Sequence, residues 1–410
     1  MSRRDEAEAL DARDPVASAR ALFALPEGVL YLDGNSLGPP AAGAASRVEA
    51  AVRAEWGEGL VSSWNAAGWW EEPIRLGDRI ARLVGAAPGQ VAVCDSTSVN
   101  LYKVLASALR LAAGRRVVVA ERECFPTDRY MLEGLSSVPG ALHVRLVGHA
   151  PGDLVDGCDE SVGAVLVNHV DYRTARRVDL GAVVARAHDV GALVVADVAH
   201  SAGAIEVALD DWGVDFAVGC TYKYLNGGPG SPAFVYVASR HLTAATQPLS
   251  GWHGHERPFA FTDRYAPAPG IRRFLCGSPP IVAYAALDAA LDVWDSVDLR
   301  AVVAKGQDLV DLLLDLLDER CPELTVASPR ARPERGSHVA LRHEGAYDVV
   351  RALAARGVLA DFREPDVVRV GLAPLYLRFV DVVDAVSVLR DVLDDRPWER
   401  APTGDRATVT

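Results

Sequence analysis

A lysine between two tyrosines, Lys223, is the residue of this chain best suited to act as an amine nucleophile. It follows the apolar run 214–220, which predicts a buried strand, and it precedes Gly227 and Gly228, which let a backbone approach a bound group closely. An ammonium group held away from water loses its proton more readily, and the free amine is the form that attacks a carbonyl carbon. A lysine on an exposed loop would have similar neighbours, so Lys223 alone does not establish a site.

Polar and aromatic side chains follow several other predicted strands. Residues 96–98 open a helical stretch whose hydroxyl and free N–H groups suit a phosphate, although Ser and Thr are also ordinary N-caps. Phe125 could stack on a flat ring, and Thr127 or Asp128 after it could cap the next helix; a buried Phe and a capped helix explain this segment equally well. Asp197 ends a predicted strand, and a buried carboxylate at that position needs a cationic partner. The alternative is that Asp197 caps the N-terminus of the next helix, a role that needs no cation.

Together these groups predict one cofactor site. Because ligands of an open parallel sheet bind at the carboxyl ends of the strands, we expect these side chains to lie near Lys223. A phosphate-binding helix start, a stacking ring, a strand-end aspartate and an amine are what pyridoxal 5′-phosphate (PLP) requires, since the aspartate keeps the pyridine nitrogen protonated. We expect no metal.

The region 90–240 alternates short β-branched runs with amphipathic helical stretches, which is typical of a mostly parallel sheet covered by helices. Seven strands are predicted, at 90–94, 116–120, 142–147, 164–168, 192–197, 216–220 and 233–237. No GxGxxG follows the first strand, so a dinucleotide fold has no support.

The flanking regions are predicted to be more helical. Helices are expected at 5–24, 40–57, 281–294, 299–319, 346–355 and 380–392, and strands at 337–341, 358–362 and 367–371. The predicted architecture is α/β, with an N-terminal arm (1–58), a large PLP-binding domain (59–283) and a smaller α+β C-terminal domain (284–410).

Composition limits the class of partner. Lys plus Arg number 42 against 55 Asp plus Glu, and the net charge of −13 disfavours nucleic acid or an anionic membrane, so a small molecule is expected. The N-terminus has no apolar h-region and no run of 18 apolar residues occurs, which predicts a cytoplasmic protein. The six cysteines form no CxxC pair and are expected to be reduced and structural.

Seven segments of the chain resemble kynureninase, a PLP-dependent family of the aspartate aminotransferase fold (fold type I). They are YLDGNSLG (31–38), STSVNLYK (96–103), FPTD (125–128), DVAHSAG (197–203), DWGVDFAVGCTYKYLNGGPG (211–230), GWHGH (251–255) and RVGLAPLY (369–376). They follow the order of the family and span nearly the whole chain. The Tyr-Lys-Tyr-Leu-Asn segment and the Gly-Asn-Ser-Leu-Gly loop are the most specific, whereas Asp-x-x-His before a lysine is shared with cysteine desulfurase-like relatives.

This resemblance implies a role for individual residues. It makes Lys223 the Schiff-base lysine, Asp197 the partner of the pyridinium nitrogen and Tyr222 a proton relay. Arg369 matches the arginine that binds the substrate α-carboxylate, whereas a solvated arginine on an edge strand would leave the amino acid unanchored. The other implied cofactor contacts are Thr97, Ser98, Phe125, Pro126, Thr127, Asp128, Asn168 and His200, with Trp252 and Ser278 reaching the phosphate from the neighbouring subunit of a homodimer. The other implied substrate contacts are Asn35, Trp64 and Gly277.

The implied reaction is hydrolysis of the Cβ–Cγ bond of L-kynurenine, which gives anthranilate and L-alanine in tryptophan catabolism. Animal members carry Ser-Asn where this chain has Gly277-Ser278, and a histidine where it has Trp64. This bacterial type of pattern predicts kynurenine rather than its 3-hydroxy form. Three alternatives stay open: a modified kynurenine as substrate, another fold-type-I reaction such as a cysteine desulfurase with Cys321 as nucleophile, and a binding module without turnover, which would be expected to have lost Lys223 or Asp197.

Overall fold

The computed structural model describes residues 2–137 and 142–400. Its strands are β1 (Leu30–Tyr31), β2 (Val91–Val93), β3 (Val117–Glu121), β4 (His143–Val147), β5 (Val162–Asn168), β6 (Leu193–Asp197), β7 (Phe216–Gly219), β8 (Phe234–Val237), β9 (Thr325–Val326), β10 (His338–Arg342), β11 (Val358–Leu359), β12 (Asp361–Arg363) and β13 (Val367–Gly371). Its α-helices are α1 (Arg3–Asp11), α2 (Ala44–Ala50), α3 (Ser63–Ala66), α4 (Glu72–Leu83), α5 (Thr97–Leu111), α6 (Pro126–Ser136), α7 (Asp153–Asp156), α8 (Leu180–Asp189), α9 (Ile281–Asp295), α10 (Leu299–Arg320), α11 (Ala346–Ala354), α12 (Phe379–Asp395) and α13 (Pro397–Arg400).

Strands β2 to β8 form a seven-stranded sheet in the order β2-β8-β7-β6-β5-β3-β4. Strand β8 runs antiparallel to both of its neighbours, and the other pairs of neighbouring strands are parallel. All seven predicted strands are confirmed, and so is the α/β class with a mostly parallel sheet.

The strands read as continuous apolar runs because both faces of the sheet are covered. Every residue of β5 is buried. Ala164 and Leu166 face a core that includes Leu101 and Leu105 of α5, and the alternate residues Val165 and Val167 belong to the other main core, on the opposite face. This double coverage places the polar strand ends, and not the strand interiors, where a ligand can reach them.

A four-stranded antiparallel sheet, in the order β12-β13-β10-β9, lies in the C-terminal region with α10, α11 and α12. The N-terminal segment joins this region, because β1 pairs with β11 and the Asp11 carboxylate accepts hydrogen bonds from the backbone N–H groups of Phe379 and Val380 (2.8 and 3.1 Å). The division at residues 58 and 283 stays a prediction, and residues 401–410 of the predicted small domain lie outside the described residues.

Two local predictions are wrong, and a third is confirmed except for its start. The helix predicted over 5–24 ends at Asp11, because Pro15 restricts the residue before it, and only a short 3₁₀ helix (Ala17–Leu22) follows. The helix predicted over 40–57 begins at Ala44 and continues after α2 as a π-helix (Ala51–Glu58). The strand predicted over 358–362 is two strands in different sheets, β11 and β12. Within the described residues, no helix has the length and apolar character needed to cross a membrane.

Candidate active site

A cavity of about 260 Å³ lies at the carboxyl ends of β5, β6 and β7. It brings together ten of the residues predicted from the sequence: Thr97, Ser98, Phe125, Thr127, Asp128, Asn168, Asp197, His200, Tyr222 and Lys223. The remaining lining residues are Val170, Tyr172 and Ala199. Pro126 is the first residue of α6, between Phe125 and Thr127, and is not among the residues that line the cavity.

The amine of Lys223 is held inside this cavity by His200. The Nζ atom of Lys223 lies 2.8 Å from Nε2 of His200, 6.0 Å from the centroid of the Phe125 ring and 5.9 Å from that of Tyr222. Burial, and then the charge of Lys223, lower the pKa of His200 well below its ordinary value. The imidazole is therefore neutral, and its Nε2 can accept a hydrogen bond from the ammonium group.

Two buried carboxylates face the same cavity. The amide nitrogen of Asn168 donates to Asp128 and lies 3.4 Å from Oδ2 of Asp197, whose Oδ1 accepts from the backbone N–H of Ala199 at 2.7 Å. Burial raises the pKa of Asp197, and burial together with the charge of Asp197 raises the pKa of Asp128 well above its ordinary range. The pair would therefore be stabilised by a cationic group bound in the cavity.

The predicted capping roles of Thr127 and Asp128 are wrong. No side chain caps the start of α6, and Asp128 is 2% exposed and hydrogen-bonds to Asn168 instead. Asp197 is not an N-cap either, because turns and not a helix follow β6.

The start of α5 provides hydroxyl groups at one end of the cavity. Ser96 caps the helix by accepting from the backbone N–H of Val99 at 3.3 Å. Thr97 and Ser98 line both the Lys223 cavity and a neighbouring cavity of about 460 Å³, to which Gly277 and the exposed Ser278 also contribute.

The predicted aromatic residues form a separate cluster. The rings of Trp64 and Trp252 lie 5.8 Å apart, Trp69 is 5.9 Å from Trp64, and Trp70 is 4.5 Å from His253. Neither Trp64 nor Trp252 is among the residues that line the Lys223 cavity of this single chain.

Arg369 lies on β13, an interior strand between β12 and β10, and is 1% exposed, so the alternative of a solvated arginine on an edge strand is wrong. Its Nε donates to Asp361 at 2.9 Å and its Nη2 bonds to the other Asp361 oxygen and to Ser36 Oγ (2.7 Å). With its amide oxygen turned towards the guanidinium, Asn35 accepts from Nε at 2.8 Å and Nη2 at 3.1 Å. The third nitrogen, Nη1, donates to the backbone carbonyl of Tyr172.

The N-terminal loop 31–38 joins this arginine to the lysine. Its Asn35 and Ser36 contact Arg369, while the N–H of Gly38 donates to the carbonyl of Tyr222 at 2.7 Å. A Cβ at Gly38 would lie 2.3 Å from the carbonyl oxygen of Lys223, so glycine is required for this approach.

Three residues at the site were not predicted from the sequence. Tyr172 lies four residues after β5 and packs its ring edge-on against Phe125 at 5.2 Å, so its strand-end position was an available signal. Asp361, which pairs with Arg369, and His338, whose ring centroid is 5.5 Å from that of His200, carry no local sequence signal, because the fold alone brings them there.

Comparisons with known proteins agree with this geometry. The sequence profile of the kynureninase C-terminal domain matches residues 302–389. The chain is 49% identical over 417 residues to a kynureninase from Burkholderia pseudomallei (strain 1106a) and 46% identical over 416 residues to one from Pseudomonas fluorescens, each alignment covering 100% of both chains.

Solved structures share the fold at much lower identity. A cysteine desulfurase from Thermococcus onnurineus NA1 has a TM-score of 0.78 and 19% identity, covering 92% of this chain and 98% of that one. A C-DES variant with glycine covalently linked to its PLP cofactor has a TM-score of 0.78 and 16% identity, covering 91% and 99%. These likenesses establish the fold, whereas the two full-length matches at 46% and 49% identity establish descent. The chain therefore belongs to the kynureninase family.

Proposed function

We propose that this protein is a PLP-dependent kynureninase that hydrolyses the Cβ–Cγ bond of L-kynurenine to anthranilate and L-alanine. The observation that carries the proposal is the cavity that brings the Lys223 amine, the Asp197 carboxylate and the Phe125 ring together. The full-length identity to kynureninases supports the same reaction.

The residues of the Lys223 cavity fit PLP. Two carboxylates with raised pKa values, Asp128 and Asp197, face the cavity, and Lys223 is the cation among its lining residues. If Lys223 is used to bind the cofactor, a protonated pyridine nitrogen would supply the positive charge that Asp197 needs. Lys223 would bind the carbonyl carbon of the cofactor, Phe125 would cover a ring face, and Thr97 and Ser98 would hold the phosphate at the start of α5. When bound, the cofactor supplies an electron sink for the bond changes at the substrate Cα.

The side chains around Lys223 can move the protons that the reaction requires. Once released by the substrate amine, the Lys223 amine is placed to take the Cα proton, with neutral His200 as its hydrogen-bond partner. Burial raises the pKa of Tyr222, so its hydroxyl stays protonated and can donate a proton to the substrate. In the net reaction a water oxygen bonds to Cγ, the Cβ–Cγ bond breaks, and Cβ receives a proton.

Arg369 and Asn35 are proposed to bind the α-carboxylate. A planar guanidinium fixed by Asp361 is already oriented, so little rotamer entropy is lost when it binds a carboxylate. Trp64 and Gly277 are proposed to contact the aminophenyl ring. Gly277 has no side chain that could hydrogen-bond a 3-hydroxyl group, whereas animal members carry Ser there, which supports a preference for kynurenine over its 3-hydroxy form.

We further propose a homodimer in which Trp252 and Ser278 reach the phosphate of the partner. In the single chain, Ser278 is exposed at the edge of the cavity of about 460 Å³, which it lines together with Thr97 and Ser98. Large apolar residues in the segments before Trp64 and after Trp252 are also exposed: Trp56 (59%), Leu60 (60%), Val61 (80%), Phe259 (70%) and Phe261 (85%). Large exposed apolar side chains of this kind are typical of a surface that another chain covers. A cytoplasmic location is supported by the six cysteines, all of which are free.

A cysteine desulfurase reaction is less well supported. Among the described residues that line the Lys223 cavity there is no cysteine. Cys321 is 1% exposed in the turn after α10, and burial raises its pKa, which disfavours the thiolate. The binding-module alternative is also less well supported, because both Lys223 and Asp197 are present.

The purified protein and its Lys223→Ala variant test this function. We expect the wild type to show the visible absorbance of PLP bound to an amine and to convert kynurenine to fluorescent anthranilate, and the variant to show neither. Comparison of kcat/KM for kynurenine and 3-hydroxykynurenine then tests the preference. A variant with an unchanged visible spectrum would contradict the cofactor assignment, and a wild type that binds PLP without releasing anthranilate would contradict the substrate.

A further inference from the structure

Lys103 is a lysine with no exposed surface inside α5. Its Nζ forms an ion pair with the Asp95 carboxylate, donates to the backbone carbonyl of Phe274 at 2.7 Å, and lies 3.4 Å from Oδ1 of Asn100 and 3.8 Å from Sγ of Cys94. A fully buried ammonium group is costly unless it is paired and hydrogen-bonded, and Lys103 is both.

The first of its partners belongs to the segment that precedes the phosphate-binding hydroxyls. Asp95 has a left-handed backbone (φ 48°), which is uncommon outside glycine, and it is followed directly by the Ser96 cap, Thr97 and Ser98. A non-glycine residue in this region is strained, so the surrounding contacts must hold it. The ion pair to Lys103 is such a contact.

The second partner belongs to the segment that ends at Ser278. From Phe274 the chain runs to Cys276, whose carbonyl accepts from the N–H of His253 at 3.2 Å. Gly251 lies so close that a Cβ there would be 2.2 Å from the same carbonyl oxygen. The loop that carries Trp252 therefore rests on the segment that Lys103 anchors.

Net stability does not explain this arrangement. Replacing a buried ion pair by apolar side chains of similar volume is often neutral or stabilising, so this pair, whose Asp95 side chain is 28% exposed, is weak evidence for stability, whereas its geometry ties two chain segments together. Here the geometry joins two segments that line one cavity: Lys103 contacts Asp95 and Phe274, and residues 95–98 and 275–278 line the cavity.

We propose that Lys103 is a positioning residue for the phosphate end of the site. It holds the Asp95–Ser98 and Phe274–Ser278 segments at a fixed separation and does not itself touch the cofactor. This inference rests on the proposed function, in which Thr97 and Ser98 hold the phosphate of their own subunit and Ser278 that of the partner. In that arrangement one lysine sets the geometry of both phosphate sites.

Titration of the apoprotein with PLP and with pyridoxal, which has the same aldehyde but no phosphate, tests the proposal. Visible absorbance reports binding of either probe to Lys223. We expect Lys103→Met to raise the Kd for PLP about tenfold or more and to change the Kd for pyridoxal less than about twofold. The Lys103→Met/Asp95→Asn double variant leaves no unpaired charge and should show the same selective loss.

The chain offers a matched control in Lys305, another buried lysine (5% exposed), whose Nζ is 2.7 Å from the Asp14 carboxylate. Lys305→Met/Asp14→Asn should leave the Kd for PLP unchanged. The proposal is overturned if Lys103→Met leaves the Kd for PLP unchanged, or if the Kd values for PLP and pyridoxal rise equally. It is also overturned if Lys103→Met/Asp95→Asn is too unstable to purify, which would indicate a purely structural ion pair. A wild type that binds neither probe would instead overturn the proposed function.

Discussion

The Nε2 atom of His200 lies 2.8 Å from the Nζ atom of Lys223, and burial keeps this imidazole neutral. A neutral imidazole beside an amine accepts a hydrogen bond and orients the amine without adding a second positive charge. The amine that is proposed to carry the cofactor is therefore held in place by a group that does not change its charge near neutral pH.

His200→Gln is expected to lower kcat about 10- to 100-fold, because the flexible amide lacks the planar ring that holds a hydrogen-bond acceptor beside the Lys223 amine. The pKa of His200 is lowered well below its ordinary value, so its protonation lies below the neutral range and the acid limb of the kcat/KM profile should not move in the variant. A pH–rate series on both proteins measures this. An acid limb that disappears with His200 would show that the imidazole titrates and would contradict the neutral role.

Arg369 and Asp361 can be separated by a pair of variants. Arg369→Ala is expected to raise KM for kynurenine about tenfold or more, with a smaller effect on kcat, because the guanidinium binds the carboxylate in the ground state and transition state alike. It should also lower the free energy of unfolding by about 1.5–3 kcal/mol, since the buried Asp361 carboxylate loses Arg369 and keeps Arg363 (2.7 Å) and Ser36 (2.6 Å) as partners.

The Arg369→Ala/Asp361→Ala double variant is the control. It should recover part of the lost stability, measured by urea unfolding, because Arg363, whose side chain is 34% exposed, can be solvated once Asp361 is gone; KM should stay raised. Equal KM values for the wild type and both variants would exclude Arg369 from substrate binding.

Gly38 is expected to be intolerant of a side chain. A Cβ there would lie 2.3 Å from the carbonyl oxygen of Lys223 and 2.4 Å from Nδ2 of Asn226, so Gly38→Ala should displace the lysine turn and lower kcat at least about tenfold. Gly43→Ala is the matched control, because no atom lies within 4 Å of its Cβ and its φ of −78° suits alanine. Steady-state kinetics on both variants decides between a local clash and a general sensitivity of the loop; equal losses in the two would contradict the clash.

Mixing two inactive chains tests the shared sites. Lys223→Ala lacks the amine, and Ser278→Asp places a negative charge where the partner's phosphate is proposed to bind. If Ser278 acts across the interface, a hybrid dimer has one site with both defects and one with neither, so purified hybrids should show about half of wild-type activity. Co-expression of two differently tagged chains followed by tandem purification measures this. No recovery in purified hybrids would place Ser278 at its own subunit's site.

The strands and the strand-end residues could be predicted from the sequence because both depend on local patterns. Runs of β-branched residues marked β2 to β8, Asp197 ends β6, and Lys223 follows β7 closely. Asn168, the last residue of β5, was implied only by the family resemblance. The pairing of β1 with β11 could not be predicted, because two-residue strands far apart in the chain have no periodicity to recognise. The same holds for Asp361, since only the alignment of β12 with β13 brings its carboxylate to Arg369.

Asp215, at the opposite end of the sheet from Lys223, provides a test of stability that should leave the site intact. Burial alone would raise its pKa, but His188 (2.9 Å), His241 (2.7 Å), the N–H of Val194 (2.7 Å) and Arg240 (2.7 Å) all bond to the carboxylate and hold the pKa below its ordinary value. A lowered pKa contributes stability above the unfolded pKa of about 3.9, and this contribution is lost as the pH falls towards the folded value.

Asp215→Asn should therefore lower the free energy of unfolding by about 2–4 kcal/mol at neutral pH, and the difference from wild type should shrink below about pH 4. Urea unfolding across this pH range measures the effect, with kcat of the folded fraction as the control; a difference that persists unchanged at low pH would show that shape, and not charge, makes Asp215 stabilising.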